Sequence, residues 1–404
     1  MVIKVLGAIV LSVLCWCGTP LLGQPMPAVA LAAPVAAPEA ALSRLFTTAA
    51  LEADWFADSF LAQISLAQIE QILAGITASL GAYQGVESVG ENYVLTFERG
   101  TVPTRVVLNG AGQITGLLFE TPQLTNLSLT ELTQQFAALP GETSLLVLKD
   151  GAELAAHNPD SPLAVGSAFK LLILQVLQQQ IAAGAHAWDE VIPLQAALRS
   201  LPSGRLQDWP ADTPMTLQTL ATMMISESDN TATDHLLALV GRDAVEALTE
   251  TNRPFLSTRE AFVLKDPQNQ GLLRRYRAGR ERERRGVLGA IATVPLPSVS
   301  IFNNGPLALD VEWFFSTQAL CGAISPVANL PLMQVNPGLV DPSQWQQVAF
   351  KGGSEPGVEN FTTELLNTDG RRYCVSATWN NPDGIDELEF STLYRSVIGA
   401  MGAE

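Results

Sequence analysis

Ser167-Ala-Phe-Lys170 sets a hydroxyl and an ammonium three residues apart, at the head of the apolar run Leu171-Leu-Ile-Leu-Gln-Val-Leu177. Residues i and i+3 share a face of a helix, so the pair reads as a candidate nucleophile and base. The run is apolar nearly all round, which predicts a central helix that takes Lys170 into the core. A buried Lys is costly without a partner or a task. Desolvation lowers its pKa and makes it a plausible proton acceptor for the neighbouring hydroxyl, while the helix N-terminus adds partial positive charge near Ser167. The bland alternative is an N-capping Ser followed by a Lys that snorkels to water.

Lysine scarcity sharpens the choice. The chain has 5 Lys against 18 Arg, and two of the Lys follow an identical pair, in Ala168-Phe169-Lys170 and Ala349-Phe350-Lys351. A sequence that solvates itself with Arg yet sets Lys behind apolar pairs needs compact, titratable amines there. Lys351-Gly-Gly353 ends an expected strand, Gln347 to Phe350, and glycines at that point let another backbone or a ligand approach the strand edge. Ser228-Asp-Asn230 lies between two expected helices, Leu217 to Ile225 and a second ending at Gly241. Alone it reads as helix punctuation with Asn230 as the N-cap.

Taken together, Ser167-x-x-Lys170, Ser228-Asp-Asn230 61 residues on, and Lys351-Gly-Gly353 before an expected β-hairpin form the motif set of class A β-lactamases and penicillin-binding proteins. Over roughly residues 125–404 the chain resembles the catalytic domain of class A-type β-lactamases and related penicillin-recognising serine hydrolases. The resemblance implies an α+β fold, a β-lactamase/transpeptidase-like α/β sandwich with an antiparallel sheet. It implies Ser167 as the acylated nucleophile, Lys170 as its base, Ser228 as a proton relay to the leaving group, and Asn230 as a residue that orients substrate. Lys351 would hold the electrostatics around Ser228 and attract a substrate carboxylate. The N–H groups of Ser167 and of Ser354, just beyond Gly353, would form the oxyanion hole, each donor worth a few kcal/mol in the transition state.

Two departures shape the expected activity. Gly352 stands where the family carries a hydroxyl residue, so one contact to a substrate carboxylate is missing. The water-activating Glu of class A enzymes falls in the region Arg253-Pro-Phe-Leu-Ser-Thr-Arg-Glu260. There Ser257-x-x-Glu260 fits a capping box, which gives Glu260 a structural task and leaves its catalytic role the weaker alternative. The expected function is an exported serine hydrolase acting by acyl transfer on an amide, ester or β-lactam bond. Its substrate would be a small molecule or peptide with a carboxylate, such as a β-lactam or a peptidoglycan peptide. The alternatives are a D,D-carboxypeptidase-like cell-wall enzyme, and a β-lactam-binding sensor that acylates and releases slowly.

Other chemistries find little support. His157, His186 and His235 are the three His, in no metal-binding spacing, and neither a P-loop nor a dinucleotide fingerprint occurs, so no metal or cofactor is expected. A formal charge of −17 argues against nucleic acid. Lys4, the apolar core Leu6 to Leu14 and small residues up to Ala33 read as a secretory signal peptide over residues 1–32, so a periplasmic or secreted location is expected, with membrane attachment only if that segment is retained. Cys321 and Cys374 could pair in such a compartment.

An Ala/Pro-rich linker is expected over residues 33–38 and a small domain over 39–124, before the catalytic domain of 125–404. In the small domain two helices, Ala41 to Ile64 and Leu66 to Tyr83, should precede three alternating strands, Tyr93 to Glu98, Thr104 to Leu108 and Ile114 to Phe119. That order resembles the cone-shaped NTF2-like domain found ahead of β-lactamase-like domains in certain bacterial serine hydrolases. The Arg-rich run 274–285 reads as a solvated helix or loop.

Overall fold

The computed structural model describes residues 8–11 and 37–401. Apart from Ala8–Leu11, the segment read as a signal peptide lies outside the described residues, as does most of the linker. The described residues divide into two compact units, one containing Leu129–Phe390 and the other containing residues 8–11, 37–128 and 391–401.

The larger unit is built on a five-stranded antiparallel sheet in the order Gln347–Glu355, Val358–Leu366, Arg372–Asn380, Glu142–Lys149, Ala152–His157. The strands from Val358 and Arg372 are buried along nearly their whole length and the strand from Glu142 over Thr143 to Val147, so they show no apolar–polar alternation, with Glu359 and Glu364 buried among the apolar and small polar residues. The hairpin between Glu142–Lys149 and Ala152–His157 turns at Asp150 and Gly151, with φ of 50° and 83°, the left-handed pair that a two-residue turn demands.

Helices between the first and third motifs complete the core. Lys170–Ala182 has no polar face over its first two turns, and every residue from Lys170 to Leu174 is buried. It packs with Leu217–Ser226, Asn230–Val240, Thr258–Lys265 and Thr317–Ile324 in one apolar cluster. Cys321 and Cys374 form a disulfide that ties the Thr317–Ile324 helix to the Arg372–Asn380 strand. The Arg-rich run folds as two helices, Gln270–Ala278 and Glu281–Ile291. Two of its seven Arg form ion pairs: Arg277 with Asp310, and Arg285 with Glu246 and Glu281.

The smaller unit differs in detail from the expectation. The first expected helix stops at Thr47 instead of running to Ile64, and only short turns follow, at Ala53–Trp55 and Asp58–Leu61. The Thr47 and Thr48 hydroxyls bond back to the carbonyls of Ser43 and Arg44, and Ala57 N–H donates to the Ile114 carbonyl at 3.0 Å. That bond draws the backbone onto the sheet and out of the helix. The second helix, Leu66–Leu80, ends at Gly81 with φ of 83°, and an unanticipated strand, Tyr83–Val89, begins there. Four longer strands therefore follow the helices, Tyr83–Val89, Asn92–Phe97, Gly100–Leu108 and Ile114–Glu120, each paired antiparallel with the next, and a short fifth, Gln123–Leu124, pairs with Gly100–Leu108. Ala8–Leu11 pairs with the last of them.

Candidate active site

Ser167 lies in the single turn Gly166–Phe169 that leads directly into the Lys170–Ala182 helix. Gly166 holds φ at 49°, and a Cβ there would fall 2.9 Å from the Ser354 nitrogen. A Cβ on Gly353 would lie 2.2 Å from the Ser167 nitrogen. Glycine at both positions lets the edge strand Gln347–Glu355 seat against the turn, which brings the N–H groups of Ser167 and Ser354 to the same small region. Phe169 stacks on Trp313 at 3.8 Å and fixes the turn from behind.

Lys170 is fully buried. Its Nζ lies 2.6 Å from the Ser228 carbonyl, 2.7 Å from Asn230 Oδ1 and 3.1 Å from Ser228 Oγ. Burial lowers its pKa to about 7, against the upward pull of Asp229 and Asp234. Lys351, on the facing strand, donates from Nζ to Ser228 Oγ at 3.0 Å and to the Gly352 carbonyl. Burial and then Lys170 hold its pKa well below the ordinary amine range. One hydroxyl, that of Ser228, thus bridges two depressed lysines, and Ser228 itself sits at φ 55°, an uncommon conformation for a non-glycine residue.

The second motif is held by Asp229. Its side chain caps the Asn230–Val240 helix by accepting from Ala232 N, and it also accepts from the backbone nitrogens of Arg205 and Leu206 at 2.7 and 2.9 Å. The expectation of Asn230 as the cap is corrected here: its amide instead binds Lys170 and the Leu201 carbonyl. Both residues cap well, and the buried amine draws the amide away.

Ser167, Ser228, Asn230, Lys351, Gly353 and Ser354 line one cavity of about 670 Å³. Glu260 is not among its lining residues. It accepts from Arg242 at 2.8 and 2.9 Å and from Ser257 N at 2.8 Å, completing the capping box of the Thr258–Lys265 helix. Among the histidines, His235 is buried between the Thr231 carbonyl and the Gln195 N–H, and His186 pairs with Glu190.

Sequence reasoning missed a second charged cluster on the cavity wall. Lys265, fully buried, pairs with Glu312 and Glu355, both of which line the cavity. Burial opposes the charge of Lys265, but the two carboxylates outweigh it and raise its pKa. Burial and the neighbouring Glu312 push Glu355 up to about 8. The lysine-scarcity signal could have found this site, because Lys265 also follows an apolar run, Phe262-Val-Leu264. Asp234 was also missed; burial raises it to about 6 although it accepts from Thr258 and Arg259.

Residues 127–271, which carry the first two motifs, match the family model described as the Beta-lactamase enzyme family. No curated protein matches the chain. Among solved structures, a β-lactamase from Sphaerobacter thermophilus DSM 20745 is similar at 20% identity and TM-score 0.48, covering 69% of this chain and 97% of that one. PBP-A is similar at 18% identity and TM-score 0.44, covering 70% and 98%. A representative class A β-lactamase from Bacteroides cellulosilyticus DSM 14838 is similar at 15% identity and TM-score 0.46, covering 69% and 100%. The family match spans residues 127–271, about a third of the chain, and the three motifs meet in one cavity of the larger unit.

Proposed function

We propose that the larger unit is an exported serine hydrolase that works through an acyl-enzyme on an amide, ester or β-lactam bond. The observation that carries the reading is the chain Lys170–Ser228–Lys351 beside a nucleophile turn seated on glycines. Ser167 Oγ attacks the carbonyl carbon, and neutral Lys170 accepts the hydroxyl proton. The oxygen that gains charge is met by the N–H groups of Ser167 and Ser354, fixed in place before reaction. When the carbon–nitrogen or carbon–oxygen bond breaks, Ser228 Oγ hands a proton to the leaving group and regains one from Lys170. The acyl group then sits on Ser167 until water replaces it. Asn230 steadies Lys170 and, through it, the proton path.

Export is supported by the apolar N-terminal stretch and by the Cys321–Cys374 disulfide, which suits an oxidising compartment. We read the smaller unit as an NTF2-like domain, on the strength of its two main helices followed by an antiparallel sheet.

A second reading is favoured by Glu260. Because Arg242 and Ser257 take up its carboxylate, no acid in that region is free to activate water, and acylation without efficient release is the behaviour of a binding or sensor protein. A D,D-carboxypeptidase-like activity on cell-wall peptides is a further alternative within the same mechanism. Intact-mass measurement over time with a penicillin, a cephalosporin and a chromogenic ester separates these. An enzyme releases product continuously, a sensor gives one equivalent of adduct and stops, and the absence of any adduct on Ser167 overturns the proposal.

A further inference from the structure

Along the edge strand, side chains alternate faces, so Gly352 and Ser354 share the face opposite to Lys351 and Gly353. Ser354 is paired in antiparallel register with Glu359, and directly opposed residues present their side chains on the same face. Glu359 is only 5% exposed and lines the cavity. Among the described residues its carboxyl takes no hydrogen bond and no ion pair. A nearly buried carboxyl that no protein group meets is costly, and its oxygens are left to water or to a group that enters the cavity. Burial, then Glu387, holds Glu359 well above the carboxylate range, as expected for an acid waiting without a counter-charge.

The surroundings set the sign of that partner. Glu387 and Asp383 line the same end of the cavity, and Glu312 and Glu355 line it elsewhere. Among the described residues that line it, the one basic side chain is Lys351, whose Nζ already donates to Ser228 Oγ and the Gly352 carbonyl. Gly352 brings no hydroxyl to this face. The motif resemblance alone leads to a substrate carboxylate here; the geometry offers that group Glu359, Asp383 and Glu387, while Glu312 and Glu355 are already paired with Lys265.

We propose that the Glu359 end of the cavity is a subsite for a cationic group, a primary ammonium carried by the substrate that acylates Ser167, with Glu359 as its principal ligand and Asp383 and Glu387 beside it. This rests on the serine-hydrolase reading and adds the substrate class: esters or amides bearing an amine, in preference to ones bearing a carboxylate. The ammonium gives Glu359 the counter-charge and hydrogen bond that the protein does not supply, a charge-assisted contact worth about tenfold or more in affinity.

The test uses the full chain and three p-nitrophenyl esters of one acyl chain, ending in ammonium, acetamido or carboxylate, with acylation read from the burst of nitrophenol. The ammonium ester should acylate about tenfold faster in kcat/KM than the acetamido ester, with the carboxylate ester slowest. In Glu359→Gln the ammonium-to-acetamido ratio should fall to about one. A wild-type ratio near one, or a ratio that Glu359→Gln leaves unchanged, overturns the subsite. If no ester acylates the protein, the hydrolase reading fails, and binding decides the subsite by itself. Saturation-transfer NMR should then detect n-butylammonium and not butyrate on the wild type and neither on Glu359→Gln. Absence of n-butylammonium binding, or binding that survives the substitution, refutes it.

Discussion

Replacing Lys170 by Met tests whether the buried amine is held neutral, through stability as well as through catalysis. Met keeps the length and apolar bulk of the side chain and removes the ionisable group. Lys170 is fully buried, and burial lowers its pKa from 10.5 to about 7. Between those values the unfolded chain holds a proton that the folded chain has released, so stability rises with pH across that window and is flat below it. Each pH unit crossed there is worth about 1.4 kcal/mol, so moving from pH 6 to pH 9 should stabilise the wild type by about 3 kcal/mol through this group. The variant lacks the group, and the acceptors it orphans, Asn230 Oδ1 and the Ser228 carbonyl, cost the same at both pH values. Relief of Lys351, whose pKa Lys170 helps to depress, adds in the same direction. Urea unfolding at pH 6 and pH 9 should therefore show the wild-type-minus-variant difference shifting by about 3 kcal/mol in favour of the wild type. Acylation of the wild type should climb with pH up to about 7 and then level, as the neutral amine becomes available. Lys170→Met should acylate roughly 10²-fold more slowly, without that inflection. A stability difference identical at both pH values refutes the neutral amine, and undiminished acylation in the variant refutes its role as base.

Ser167→Ala should abolish labelling by any serine-directed probe while leaving the thermal transition in place; an adduct forming at the wild-type rate would falsify the nucleophile assignment. Glu260→Gln should lower stability by about 1–2 kcal/mol in urea titrations, through the weakened cap and the lost pairing with Arg242, and leave the slow release of a penicillin adduct within about twofold. A selective collapse of release in that variant would make Glu260 the water-activating base. Replacing Cys321 and Cys374 together by Ala opens a crosslink that spans 53 residues. It should cost about 2–4 kcal/mol in the same titration, and an unchanged midpoint would count against that contribution.

What could be read in advance was what local chemistry compels. A hydroxyl and an amine at helical spacing before an unbroken apolar run specify a buried helix and a perturbed Lys whatever the surroundings, and glycines after Lys351 specify a close backbone approach. The Ser257 and Glu260 capping box was equally local. Long-range partners were not legible. Lys265 meets Glu312 and Glu355 from 47 and 90 residues away, and no periodicity records such a meeting. Glu359 could be recognised as unpartnered only after the register opposite Ser354 was known. The smaller unit misled in a different way. Its first helix had the right apolar spacing beyond Thr47, but the backbone there was claimed by Ile114 of the sheet, and tertiary pairing overrode propensity.

Hydrogen-bond accounting around Lys170 shows what a proton transfer there would involve. A charged ammonium brings three N–H donors, and its neighbours here are the Ser228 carbonyl, Asn230 Oδ1 and Ser228 Oγ. The first two can only accept. The third is a hydroxyl that accepts from Lys351 at 3.0 Å and, with its second lone pair, from Lys170 at 3.1 Å. With Lys170 neutral, two N–H groups still serve the two pure acceptors, and its lone pair is left for the proton that the proposed mechanism takes from Ser167. No hydrogen bond joins Ser167 Oγ to Lys170 among the described residues, so the proposed mechanism requires the Ser167 hydroxyl to turn toward Nζ. In that mechanism activation of the nucleophile and protonation of the leaving group are coupled through Lys170, which takes the Ser167 proton and returns one to Ser228.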